Sequence, residues 1–123
     1  MRAKTEERNR EILEELLEGG RFRAPEDEYG YRSQDFEARM PQTGETFDRD
    51  SLMAMQKSMG EPPRVRVERM TGSGDLWVVE TVNTYPDDGD YYACAIVEFA
   101  EGKIRRETRY YGRPIDVDRG TRS

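Results

Sequence analysis

Thr81, Asn83 and Tyr85 alternate along one β-branched and aromatic run of this 123-residue chain, and Arg106, Thr108 and Tyr110 alternate along another. At a spacing of two, such side chains share one face of a strand. Hydroxyls, an amide and a guanidinium can then line a pocket and orient an otherwise apolar molecule. They do not supply a group that titrates near neutral pH. The chain has no histidine, so acid–base work would need a carboxylate raised by burial or a tyrosine lowered by its neighbours. No metal or other cofactor is expected. One cysteine and no histidine leave only carboxylates as ligands, and the runs Glu6-Glu7, Glu14-Glu15 and Glu26-Asp27-Glu28 read as solvated faces.

Composition narrows the class of partner. Twenty-six acidic against 20 basic residues leave a net charge of -6, which disfavours a nucleic acid held through its phosphates. No apolar run has the length of a membrane span or a signal peptide, so no membrane partner and a cytoplasmic location are expected. Cys94 stands alone, reads as a free buried thiol and excludes an internal disulfide.

The positioning elements follow from turn signals and periodicity. With Glu101-Gly102 as a two-residue hairpin loop, Phe99 pairs with Ile104, Val97 with Arg106, Ala95 with Thr108 and Ala93 with Tyr110. If Tyr85 faces Tyr91 across Pro86–Asp90, then Trp77, Val79 and Thr81 join Val97 and Phe99 on one covered face. Trp77, Met55, Val97, Phe99 and Tyr110 then wall a cavity. Arg106 is its one charged group, able to hold a substrate anion at the edge, while Glu80, Glu98 and Glu107 point away. The other face carries an apolar stripe of Val78, Val82, Cys94 and Ile96, suited to packing against a second copy.

Upstream, Thr5 followed by Glu6-Glu7 opens a helix whose Ile12, Leu13, Leu16 and Leu17 form a stripe, ended by Gly19-Gly20. Pro25 opens a short helix. Asp35–Met40 alternates as a strand stopped by Pro41, Gln42–Glu45 turns, and Asp48 caps a helix buried through Leu52, Met55 and Met59. Arg64–Met70 reads as the first of four consecutive strands. The fold class is α+β: a curved antiparallel sheet with three helices from the N-terminal half on its concave face. A single domain covers 1–115, and 116–123 forms a flexible tail.

Several strings in this order resemble the nuclear transport factor 2-like superfamily, in its SnoaL-like, polyketide cyclase-like branch. They are Met40-Pro41-Gln42-Thr43-Gly44-Glu45 leading to Phe47-Asp48-Arg49-Asp50, Gly72-Ser73-Gly74-Asp75-Leu76-Trp77-Val78-Val79-Glu80, Val97 to Ile104, and Glu107-Thr108-Arg109-Tyr110-Tyr111. The resemblance implies a cystatin-like sheet around a cone-shaped cavity, usually in a homodimer, among cyclases, isomerases and hydrolases. On it, the general base of the steroid isomerases falls near Met40 and their oxyanion-hole residues near Ala95 and Ile12, all apolar here. The expected function is therefore a non-catalytic module with an apolar small-molecule cavity, or a dimeric assembly module. The alternative is a cyclase-, isomerase- or hydrolase-like enzyme acting on an apolar cyclic substrate.

Overall fold

The computed structural model describes residues 2–115, with side chains from Lys4 onward. The tail expected at 116–123 lies outside the described residues. Helix α1 spans Arg2–Leu16, and after a short 3-10 turn come α2 (Pro25–Tyr31), β1 (Arg32–Met40), β2 (Glu45–Asp48), α3 (Arg49–Ser58), β3 (Arg64–Ser73), β4 (Leu76–Tyr85), β5 (Gly89–Ala100) and β6 (Lys103–Gly112). The strands form one curled, unclosed sheet in the order β2-β1-β6-β5-β4-β3.

Several features differ from the sequence reading. The sheet is mixed, because β1 runs parallel to β6, as two strands joined by a long crossover can. Strand β2 was not anticipated. The turn is confined to Pro41–Gly44, where Met40 O accepts from Thr43 N at 3.1 Å and Gly44 N at 2.9 Å, and Glu45 is already paired with Met40. Helix α1 runs from Arg2, so Thr5 lies within it.

Other local readings hold apart from Met59, expected in the buried stripe of α3 but lying past the helix end and 49% exposed. Asp48 caps α3, its Oδ1 accepting from Ser51 N at 2.7 Å while Ser51 Oγ accepts from Asp48 N at 2.9 Å. This reciprocal box fixes the start of the helix and drives Leu52 fully into the core. Along β1, Phe36 and Ala38 are buried and Met40 half-buried on one face. The core joins Ile12 and Leu13 of α1 to Trp77, Val79, Val97 and Phe99 of the sheet.

One polar residue sits on the apolar stripe of α1. Asn9 is fully buried and donates from Nδ2 to Gly74 O at 2.9 Å and Asp75 Oδ1 at 3.0 Å. Glu6 Oε1 accepts from Gly74 N at 2.6 Å, and Trp77 Nε1 donates to Gly74 O at 2.9 Å. The turn between β3 and β4 thus buckles α1 onto the sheet and satisfies backbone groups that burial would otherwise strand.

The pairing of β5 with β6 decides which residues face inward. Ala100 pairs with Lys103 and Phe99 with Ile104, as the two-residue turn demands, but beyond these Glu98 pairs with Arg106 and Val97 with Glu107. Arg105 is the extra residue of a β-bulge, which advances β6 by one place and exchanges its two faces. Across the other hairpin, Trp77 pairs with Val97 and Tyr85 with Gly89. That differs from the expected register by two places, which preserves the faces.

Candidate functional site

Rows of side chains crossing the inner face build the site. Val79, Ala95 and Arg109 form one row on β4, β5 and β6, and Thr81, Ala93 and Tyr111 form the next. The middle member is alanine in both. Trp77 and Phe99 fill the sheet on one side of these rows, whereas the two methyl groups leave it hollow, so a cavity of about 960 Å³ opens between sheet and helices. Leu13 and Leu16 of α1 and Leu17 just after it wall it, Met55 and Gln56 of α3 close it opposite, and exposed Lys57, Met59 and Glu61 stand at its mouth.

The floor is charged. Glu28 of α2, Arg32 at the start of β1, and Glu107 and Arg109 of β6 all line the cavity. Glu28 Oε1 accepts from Arg32 Nη2 at 3.1 Å and from Gln56 Nε2 at 2.9 Å. Glu107 Oε1 accepts from Arg109 Nε at 2.9 Å and Nη2 at 2.6 Å, and its Oε2 lies 3.9 Å from Arg32 Nε. Arg32 keeps only 3% of its side-chain surface open, yet among the described residues its Nε and Nη1 have no hydrogen-bond partner, nor does Gln56 Oε1. Unused donors and acceptors in a buried cluster are costly.

The two carboxyls respond oppositely. Burial pushes Glu28 above its ordinary value, and nearby Arg32 and Arg109 only partly offset it. Burial also acts upward on Glu107, but Arg109 and Arg32 together outweigh it and hold this carboxyl below its ordinary value. Arg109 stays a cation: burial favours its neutral form, and the Glu107 carboxylate overrides that. One carboxyl is thus a fixed anion and the other is able to carry a proton, a pairing that acid–base sites share. Tyr85 does not offer an alternative. Tyr85 meets Tyr91 edge-on with ring centroids 5.4 Å apart, and burial followed by the neighbouring Tyr111 pushes Tyr85 up rather than down.

Of the residues expected at the cavity, Met40, Met55, Thr81, Asn83, Tyr85 and Val97 line it, and Thr81 Oγ1 donates to Asn83 Oδ1 at 2.8 Å. Trp77 and Phe99 lie on the same face but are packed into the core. The bulge at Arg105 puts Arg106, Thr108 and Tyr110 on the outer face. There Arg106 lies 3.3 Å from Glu37 and 3.8 Å from Glu98, and Tyr110 is 41% exposed. The same shift carries Glu107, expected to point outward, onto the floor with Arg109. On the outer stripe Val78, Cys94 and Ile96 remain half-buried, but Val82 is 4% exposed within the single chain and is not open to a partner.

Sequence reasoning missed Glu28, Arg32, Gln56, Glu107 and Arg109. Glu28 and Arg32 carried a signal in their spacing of four, the favourable order for a helical ion pair. The Glu107–Arg109 pair depended on the bulge.

Neither the protein-family models nor the curated proteins give a match to this chain. Solved structures do. An NTF2-like protein of unknown function from Burkholderia xenovorans LB400 is 28% identical, with a TM-score of 0.81 over 93% of this chain and 90% of that one. A provisionally named ketosteroid isomerase from Kribbella flavida is 19% identical, with a TM-score of 0.81 over 95% and 87%. A provisionally named SnoaL-like polyketide cyclase from Jannaschia sp. CCS1 is 15% identical, with a TM-score of 0.70 over 90% and 90%. The last two likenesses show the fold alone.

Proposed function

From its place in the nuclear transport factor 2-like superfamily, we propose that this protein is a proton-transfer enzyme of the isomerase or cyclase kind, acting on an apolar molecule that carries a carbonyl or oxyanion. The observation that supports it is Glu28: a buried carboxyl on the cavity floor, raised by burial and held between Arg32 and Gln56. Glu28 carries the proton. Arg32 and Arg109 stabilise negative charge as it develops on the substrate, in a hollow where such interactions are stronger than in water. Leu13, Leu16, Val79 and Val97 supply apolar walls, and Asn83 and Tyr85 supply orienting hydrogen bonds. The preference for a non-catalytic module rested on the apolar residues Met40, Ala95 and Ile12 at the positions of the steroid isomerases' catalytic groups; Glu28 and Glu107 supply carboxyls to the cavity from other positions.

The test is solvent deuterium incorporation next to the carbonyl in a panel of apolar cyclic ketones and lactones, followed by mass spectrometry. Incorporation above the buffer rate that disappears in Glu28→Gln supports the reading. Ligands that stabilise the protein yet exchange no faster than in buffer return it to a non-catalytic binder.

A second, compatible reading concerns assembly. Tyr92 is 52% exposed on the outer face beside Tyr110, with Val78 and Ile96 next to them. This surface is suited to a second copy of the chain, making a homodimer through the outer sheet. No helix among the described residues is long and apolar enough to cross a membrane, and the free thiol of Cys94 suits a reducing compartment such as the cytoplasm.

A further inference from the structure

We infer that the cavity takes an apolar molecule ending in a single carboxylate or equivalent oxyanion, seated on Arg109, and that Glu28 takes up a proton as it binds. The inference rests on the cavity being a ligand site and adds the charge of the ligand and the protonation state it selects.

Of the two guanidiniums on the charged floor, Arg109 is the one a ligand can reach; Arg23 and Lys57, which also line the cavity, are more exposed. Arg109 commits Nε and Nη2 to one oxygen of Glu107, and its Nη1 has no acceptor among the described residues. Its side chain keeps 16% of its surface open, against 3% for Arg32. Beside it in register stands Ala95, whose small side chain leaves space over the guanidinium. A guanidinium with a free edge, at the charged end of a hollow walled by Leu13, Leu16, Val79 and Val97, selects an amphipathic anion over a neutral molecule.

The charges around Glu28 decide what happens to its proton. Arg32 of β1 and Arg109 and Glu107 of β6 act on it, and Gln56 of α3 donates to it. With both carboxyls ionised, two anions balance two cations. A bound carboxylate adds a third anion, and the group that gives way is the carboxyl whose charge burial already opposes. A proton on Glu28 restores the balance. It can also donate to Gln56 Oε1, which otherwise has no partner among the described residues, once the amide has turned. In a catalytic cycle Glu28 then meets an anionic substrate as an acid, donating its proton first.

Isothermal titration of the wild-type protein with decanoate and naphthoate, against decanamide and naphthamide, tests this in two buffers of different ionisation heat. Each carboxylate should bind about tenfold or more tightly than its amide, with proton uptake that approaches one between the ionisation of Glu28 in the free and in the bound protein, and with weakening as pH rises across that window. Glu28→Gln should bind the carboxylates at least as well without proton uptake. The double variant Glu107→Gln/Arg109→Gln, checked for folding by circular dichroism, should lose the preference for carboxylate. Equal affinity for carboxylate and amide overturns the inference and leaves the ligand site standing, as does proton uptake that persists in Glu28→Gln. If none of the four probes binds, the ligand-site reading falls and this inference with it.

Discussion

Gln56 donates from Nε2 to Glu28 Oε1 at 2.9 Å, and that same oxygen accepts from Arg32 Nη2 at 3.1 Å, so one carboxyl ties α2, α3 and β1 together at the cavity floor. This oxygen is better served when the group is ionised, yet burial opposes the ionised form more strongly. The site therefore holds a carboxyl against its own stability.

Glu28→Gln should accordingly stabilise the fold while abolishing proton transfer. Because the folded carboxyl titrates above the unfolded one, its contribution is fully present below the unfolded value and is lost as pH rises through the folded value. The gain from the variant should therefore grow with pH across that window and level off above it, reaching on the order of 1 kcal/mol. Urea unfolding at several pH values measures it. A variant less stable than wild type at neutral pH contradicts the assignment.

Glu107→Gln should do the opposite. Its folded carboxyl titrates below the ordinary value, so its contribution is present above that value and lost as pH falls through the lowered one. Removing it leaves Arg109 buried beside Arg32 without the carboxylate it is hydrogen-bonded to, at a cost of about 3 to 5 kcal/mol. The double variant Glu107→Gln/Arg109→Gln should recover most of that loss, and a double-mutant cycle in urea reads the coupling.

How far these residues could be read from the sequence depended on whether the deciding interaction was local. Asp48 and Ser51 lie three apart and announce their cap. The Glu101-Gly102 turn pins Phe99 opposite Ile104, and the alternation in β4 survives a two-place slip. The bulge at Arg105 is different: no residue near it requires an extra place, and what holds it is the burial of Ile104 on one side and of the Glu107–Arg109 pair on the other. From that single residue follow both the misplacement of Arg106, Thr108 and Tyr110 and the missed acid on the floor. Parallel pairing of β1 with β6 was equally illegible, since it joins segments far apart in the chain.

The β5–β6 turn offers a gain in stability. Glu101 has φ of 52° and Gly102 of 80°, the left-handed pair of a two-residue hairpin, where asparagine or glycine fits and a longer side chain is strained. Glu101→Asn should raise stability by about 0.5 to 1 kcal/mol, read as a higher Tm in calorimetry. An unchanged or lowered Tm rejects the account.

Gly72 is fixed by contact. A Cβ there would lie 2.5 Å from Leu76 O and 2.6 Å from Trp77 Cδ2, and neither the backbone nor a buried indole can move away cheaply. Gly72→Ala should destabilise by about 1 to 3 kcal/mol and alter Trp77 fluorescence, whereas an unperturbed emission spectrum would show that the strand is free to shift.

The outer face is tested by charge. Ile96→Arg should lower the sedimenting mass from dimer to monomer and leave the circular dichroism spectrum unchanged. A mass unaffected by the substitution counts against this surface.

The seam between β1 and β6 sets a timetable. Arg32 is synthesised early and Glu107 and Arg109 come more than seventy residues later, so a growing chain holds its helices and most of its hairpins before the floor has its second ion pair. Docking of the final strand both joins the two halves of the sheet and brings that pair to the floor, which makes the complete charged cluster the last feature this chain acquires on folding and the first it forfeits if that strand peels away.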